Sequence, residues 1–217
     1  MTFSSFKIFG TIKNQRILKQ FHYSCETYDS SGLFNNLTKE YDGIFSNPAI
    51  ISTVSPAVGT RCLTMNRNYF ITLPKYTNSP NGFSVSFWVK TNSTAAYSRI
   101  IEYSNFRIFI LETNLAFQAG GASTVYTAYP NFNDNVWRHF SFVLNPNATV
   151  VIYVNGSFYK SMTGAGSYPY LNNGGFIGKS VGDNDPLFTG SIDDFRLYDD
   201  KIISADEAMQ IYTNTFL

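Results

Sequence analysis

Carboxylates and aromatic rings are the side chains of this 217-residue chain that could do chemistry, and their spacing limits what that chemistry is. Retaining hydrolysis of a glycoside needs two carboxyl groups about 5 Å apart across the scissile bond. Glu102 and Glu112 could face each other across one hairpin, although acids on adjacent strands of a rim are usually only solvated. Asp193, in Ile192-Asp-Asp-Phe-Arg-Leu-Tyr198, is the sharpest single residue. If Phe195 and Leu197 point inward, strand alternation puts Asp193 on the same face. An inward carboxylate needs partners, because burying it alone is costly, and backbone N–H groups near the strand start could provide them. Asp194 and Arg196 share the other face and read as a surface pair of small value.

Among the rings, Trp88 sits on the face opposite the apolar residues of its strand, where an indole can stack on a pyranose or be packed over by a loop. Tyr126, Tyr129 and Phe132 fall in a stretch that reads as a connection, where binding residues concentrate, and they are candidate contacts to a ligand or partner. Trp137 and His139 share one strand face and read as structural. Cys25 and Cys62 either form a disulfide or stand as two buried thiols. With two Cys and two His in the whole chain, a zinc site of the usual Cys and His type is excluded.

These residues need a scaffold, and the pattern of the chain is that of many short strands. Apolar runs separated by Asn, Gly, Pro and Ser recur without a repeat or a long linker. From Phe83 to Val89 the alternation is clean: Phe83, Val85, Phe87 and Val89 point one way, and Ser84, Ser86, Trp88 and Lys90 the other. Arg99 to Glu112 reads as a hairpin turning near Ser104 and Asn105. Phe140 and Phe142 share a face, as do Val150, Ile152 and Val154. Asn155-Gly156 then calls for a tight type I′ turn, because both positions need positive φ, and a strand from Ser157 returns from it. Ser204 and Glu207 form a capping box ahead of a short helix over about 205–212, whose Ala208, Ile211 and Tyr212 should dock on the rim.

The chain can bury a core as one domain, with 44% hydrophobic residues, 20 Phe and 15 Tyr. Its formal net charge of +1 and 14% charged residues give no electrostatic footprint for nucleic acid or an anionic membrane. No stretch has the apolar length of a membrane span, and residues 1–20 lack the apolar run of a secretory signal. Those first twenty residues have weak patterning and read as an N-terminal arm or an added edge strand. Residues 21–217 are the domain.

In chain order, Gly59-Thr-Arg-Cys-Leu-Thr-Met65, Tyr69-Phe-Ile-Thr-Leu-Pro74, Gly82-Phe-Ser-Val-Ser-Phe-Trp-Val-Lys90, Val136-Trp-Arg-His-Phe-Ser-Phe-Val-Leu144, Val150-Val-Ile-Tyr-Val-Asn-Gly156 and Gly190-Ser-Ile-Asp-Asp-Phe-Arg-Leu-Tyr198 resemble a laminin G-like domain. This is the concanavalin A-like jelly roll of lectins and glucanases. The resemblance covers roughly residues 20 to 213 and implies an all-β, antiparallel two-sheet jelly-roll sandwich with a short C-terminal helix. Glucanases of this fold carry Glu-x-Asp-x-x-Glu on one strand, and no segment here has it, so the chain is expected not to be an enzyme.

In the resembled glucanases the Asp matching Asp193 helps hold a structural calcium, which would here take oxygens from around Tyr28 to Gly32. Asp183-Asn-Asp185 is a second oxygen-rich loop, made of ordinary turn residues. Apart from such a structural calcium, no cofactor is required. The resemblance points to a recognition module that presents loops to a glycan or protein surface. Its rival is a structural component of a virion or extracellular assembly, with the arm making homo-oligomeric or larger protein contacts. Either role places the protein outside the cell or on a virion surface, and a glycoside hydrolase of the same fold ranks third.

Overall fold

The computed structural model describes residues 20–26, 28, 32–33, 42–47, 50–75, 81–103, 105–120, 126–163, 173–182 and 184–214. The expected arm lies outside these apart from Gln20, which opens the first strand. In chain order the strands are β1 (Gln20–Tyr23), β2 (Gly32–Leu33), β3 (Gly43–Phe45), β4 (Ile51–Ser52), β5 (Cys62–Asn66), β6 (Ile71–Leu73), β7 (Phe83–Lys90) and β8 (Arg99–Tyr103). They continue as β9 (Phe106–Leu111), β10 (Asn114–Gln118), β11 (Tyr126–Tyr129), β12 (Arg138–Leu144), β13 (Val150–Val154), β14 (Ser157–Met162), β15 (Gly175–Ile177) and β16 (Thr189–Asp199). One helix, α1 (Ala205–Tyr212), follows.

Two antiparallel sheets form the sandwich. Sheet A runs β14-β13-β12-β7-β16-β5-β4, with β1 also on β16; sheet B runs β11-β10-β9-β8-β15-β6-β3-β2. The alternation in β7 has the predicted outcome: Phe83, Val85, Phe87 and Val89 are all fully buried between the sheets. They meet Phe140, Phe142 and Ile152 of sheet A and Phe106, Ile108, Phe117 and Ile101 of sheet B in one core. Phe87 stacks on Phe142 at 6.3 Å, and Phe83 meets Phe106 edge to face at 5.1 Å. A core of interlocked rings this dense explains the aromatic-rich composition.

Local signals act as expected at one turn and one helix. Asn155 and Gly156 have φ of 49° and 76°, and β14 returns from them. The Ser204 hydroxyl accepts from the Glu207 N–H at 3.2 Å, and the Glu207 carboxylate accepts from the Ser204 N–H at 2.8 Å. Ala208 and Ile211 of α1 then bury themselves against Val143, Tyr153, Tyr198 and Ile203 on the outer side of sheet A. One expectation fails: the stretch from Tyr126 is not a connection but β11, which pairs with β10 and extends sheet B by one strand. Tyr-Thr-Ala-Tyr is too short and too mixed to announce a strand; the neighbouring β10 edge recruits it.

Candidate ligand-binding groove

The outer face of sheet B is organised as a row across six strands. Ile44, Thr72, Phe176, Glu102, Arg107 and Gln118 are successive register partners on β3, β6, β15, β8, β9 and β10. The alternate row, Ile71, Ile177, Ile101, Ile108 and Phe117, faces the core. Strand alternation therefore divides the sheet into an apolar inside and an outside with one half-buried aromatic, Phe176.

Beside Phe176 is a cleft of about 880 Å³, lined by Thr72, Leu73, Pro74, Lys75, Asn105, Asn173, Gly174, Gly175, Phe176 and Val181. Two glycines set its floor. A Cβ on Gly175 would lie 2.3 Å from the Glu102 carbonyl oxygen and 2.7 Å from Tyr103 Cα, so only glycine lets β15 come this close to β8. Gly174 has φ of +74°, a left-handed turn that feeds the chain into β15. Asn105 comes from the β8–β9 turn, and the Tyr103 hydroxyl donates to the Pro74 carbonyl, tying that hairpin end to the cleft wall. Lys75 and Val181 are exposed at its mouth.

Next to the cleft lies a closed ion cluster. Arg99, 6% exposed, donates through Nε to Glu102 at 2.9 Å and through Nη2 to Asp185 at 2.8 Å. Ser180 Oγ donates to Glu102 at 3.1 Å, and Arg107 Nε stands 3.7 Å from the same carboxylate. This corrects the expected acid pair. The register partner of Glu102 is Arg107, not Glu112, and Glu112 lies in the β9–β10 turn with φ of 58°. Glu102 is thus held in ion pairs and does not meet a second carboxylate across the hairpin.

The outer face of sheet A is covered rather than open. Trp88, a candidate sugar platform, packs against Tyr212 of α1 at 5.3 Å and His139 at 5.4 Å, so the helix takes the place of a stacked ligand. His139 is fully buried and bonded to Ser86 at 2.7 Å; burial lowers its pKa to about 3, so the ring is neutral. Trp137 Nε1 donates to the Ser55 carbonyl at 2.9 Å, a structural bond as expected.

Asp193 is fully buried and accepts from the Ala57, Val58 and Asp194 N–H groups at 2.9, 3.0 and 2.8 Å. Burial raises its pKa to about 7 despite these donors. Its expected parity is wrong: a bulge between Asp193 and Arg196 breaks the alternation and sets Asp193 opposite Trp88 rather than a core residue. Its described surroundings are N–H donors rather than the oxygens a hard cation wants. No group of three or more His, Cys, Asp or Glu among the described residues could hold a metal ion. Residues 29–31 of the expected calcium oxygens, and Asp183 of the second loop, lie outside the described residues. Asp194 and Arg196 are not a surface pair. Both are buried, bonded at 3.0 Å, with His22 Nε2 at 2.6 Å from Asp194, and the hydrogen bond to His22 and the Arg196 charge hold the Asp194 carboxyl below its usual range against its burial.

Cys25 and Cys62 are free thiols. Cys25 belongs to the inter-sheet core, whereas Cys62 Sγ turns toward Thr64 Oγ1, 4.0 Å away, on the other face of β5. Of the remaining candidates, Phe132 is a core residue packed on Phe140 at 5.6 Å, which removes it from any ligand surface. Tyr129 is half-buried between Phe140 and Tyr159, with the Arg138 guanidinium 5.3 Å above it. Tyr126 pairs opposite Phe117 in the ladder, and its side chain lies outside the described residues. The structure therefore does not bring the expected ligand residues together. The cleft residues come from four separated segments, and only the Gly174-Gly175 pair, a mark of close backbone approach, could have flagged them in the sequence.

Residues 66–208 match a family model of laminin G type, described as the concanavalin A-like lectin/glucanases superfamily. The chain belongs to that superfamily. No curated protein matches it. Among solved structures, domain 4 of AbnA, a GH43 extracellular arabinanase from Geobacillus stearothermophilus in complex with arabinotriose, is similar with a TM-score of 0.67 and 22% identity. That match covers 90% of this chain and 98% of that one. The binding domain of Paraclostridial Mosquitocidal Protein 1 has a TM-score of 0.64 and 13% identity, covering 89% and 51%. The botulinum neurotoxin serotype D binding domain has a TM-score of 0.61 and 16% identity, covering 90% and 51%. This chain thus spans about half the length of these toxin chains and nearly all of the arabinanase domain.

Proposed function

We propose that this protein is a non-catalytic glycan-recognition module and that the cleft on the outer face of sheet B is its binding site. The observation that carries this reading is the cleft itself: a half-buried ring, Phe176, between amide walls from Asn105 and Asn173. Stacking on the ring and hydrogen bonds from the walls are how such sites hold a sugar. The arabinanase domain bound to arabinotriose supports the reading, as do the toxin binding domains. Fold alone would not, since this scaffold serves many functions.

The test is a glycan array followed by calorimetry on Phe176→Ala. Loss of the ring should weaken binding about tenfold with an unchanged circular dichroism spectrum. Full affinity in that variant would move the site elsewhere. A protein-contact reading is favoured by one feature, Phe158, 62% exposed on the edge strand β14. Loss of partner capture in Phe158→Ser, with no array hits, would support it instead.

A further inference from the structure

The outer face of sheet B carries a second aromatic surface. On β9, Ile108 and Ile110 face the core, so Phe109 between them faces outward. It is nevertheless buried, because the Tyr97 ring lies on it, 5.9 Å away and within 19° of parallel, and the Arg99 guanidinium packs on it at 4.6 Å. The same guanidinium stands 5.8 Å from Tyr97. One face of the Tyr97 ring is thus fixed from below, while the residue as a whole is 48% exposed.

The backbone that carries this ring is strained. Tyr97 is the third residue of a turn closed by the Ser98 N–H on the Ala95 carbonyl at 3.2 Å, and its φ of 62° lies in a region that suits Gly or Asn. Bonds on both sides hold it there. The Tyr97 N–H donates to the Ile110 carbonyl at 2.7 Å, and the Ser98 carbonyl accepts from the Ile110 N–H at 3.0 Å. Upstream, the Thr91 and Ser93 hydroxyls accept from the Ser93 and Ala95 N–H groups at 2.9 and 3.2 Å. Strain that its surroundings enforce in this way gathers at ligand clamps, and a ring already fixed loses little freedom when something stacks on it.

Phe176 and Phe109 are separated by two strands, through Glu102 and Arg107, and by one same-face step along β9, which is about 12 Å by strand spacing. A single sugar ring does not span that distance. Glu102 is 4% exposed and closed over by Arg99 and Ser180, so the way from one ring to the other passes over Arg107 and Gln118, the half-buried polar side chains that continue the row.

Resting on the glycan reading above, we infer that the protein recognises an extended glycan, a trisaccharide or longer, with one sugar in the cleft at Phe176 and another stacked on Tyr97, in preference to a terminal mono- or disaccharide.

Calorimetry with arabinan, xylan and β-1,4-galactan ladders, each from the monosaccharide to the hexasaccharide, tests this. In a ladder that binds, affinity should rise about tenfold between the disaccharide and the tetrasaccharide and then level off. Tyr97→Asn suits the positive φ and removes the ring. It should erase that rise and leave disaccharide affinity within about twofold of wild type, which also shows that the fold is intact. Tyr97→Phe should keep the rise, whereas Phe176→Ala lowers affinity at every length. On the array, trisaccharides and longer glycans should give the strongest hits. A flat ladder, a rise that survives Tyr97→Asn, or array hits on mono- and disaccharides alone overturn the inference and leave the glycan reading standing. No binding in any ladder, together with an empty array, overturns both.

Discussion

His139, Trp88 and Asp193 occupy one row across β12, β7 and β16, and its two titratable members respond to pH in opposite senses. Burial lowers the His139 pKa to about 3 from an unfolded value of about 6.5, so the unfolded chain binds the extra proton between those values, and the contribution of His139 to stability rises with pH there. Burial raises Asp193 to about 7 from about 3.9, so the folded chain binds the extra proton, and the contribution of Asp193 to stability falls as pH rises through that window. Across the shared range, about pH 4 to 6.5, the two slopes offset each other. Thermal melts should therefore show Asp193→Asn gaining stability with rising pH in that range and His139→Gln losing it. Parallel profiles for the two variants would show that the row does not titrate this way. A buried Asp193 that accepts backbone N–H groups was legible in the sequence, but the row was not, because the Asp193 parity depended on a bulge whose extra residue leaves no mark in Ile-Asp-Asp-Phe.

At the scale of elements, the legible parts are those where local chemistry and burial agree. The β7 alternation, the Asn155-Gly156 turn and the Ser204 cap each name their structure without help from distant residues. β11 was illegible because a neighbouring edge, not its own pattern, makes it a strand. The cleft was illegible for a related reason: register, which is set by long-range pairing, brings Thr72, Asn105 and Phe176 together. The cap has a further role, since α1 is what covers Trp88. Ser204→Ala should cost about 1 kcal/mol, read as a lower denaturation midpoint. In a Trp137→Phe background the same change should raise acrylamide quenching of Trp88 as the helix frays. Unaltered quenching would mean that Tyr212 holds its place without the cap.

For the whole molecule, the choice between recognition and assembly is a question of mass. The glycan reading expects light scattering to give a monomer both for the full chain and for one lacking residues 1–19, with β1 kept intact from Gln20. An oligomer that dissociates on truncation would instead make that segment an assembly device. Composition and the ordered motifs made the jelly roll and the laminin G-type family legible at this scale. They said little of the site, because one scaffold carries many functions and its fold does not fix what its outer faces bind.

β16 has a consequence for how the molecule comes into being. β7 lies along one flank of β16, and β5 and β1 share the other, so these eleven residues late in the sequence join three strands drawn from its N-terminal half. A nascent chain emerging from the ribosome presents β1, β5 and β7 long before Thr189–Asp199 exists to join them. Until then their apolar faces and unpaired edges stand open, and topology of this kind folds slowly. Synthesis of this protein therefore passes through a long interval in which sheet A lacks its central strand, and a chain that stops before β16 leaves β1 and β5 without the strand that ties them to β7.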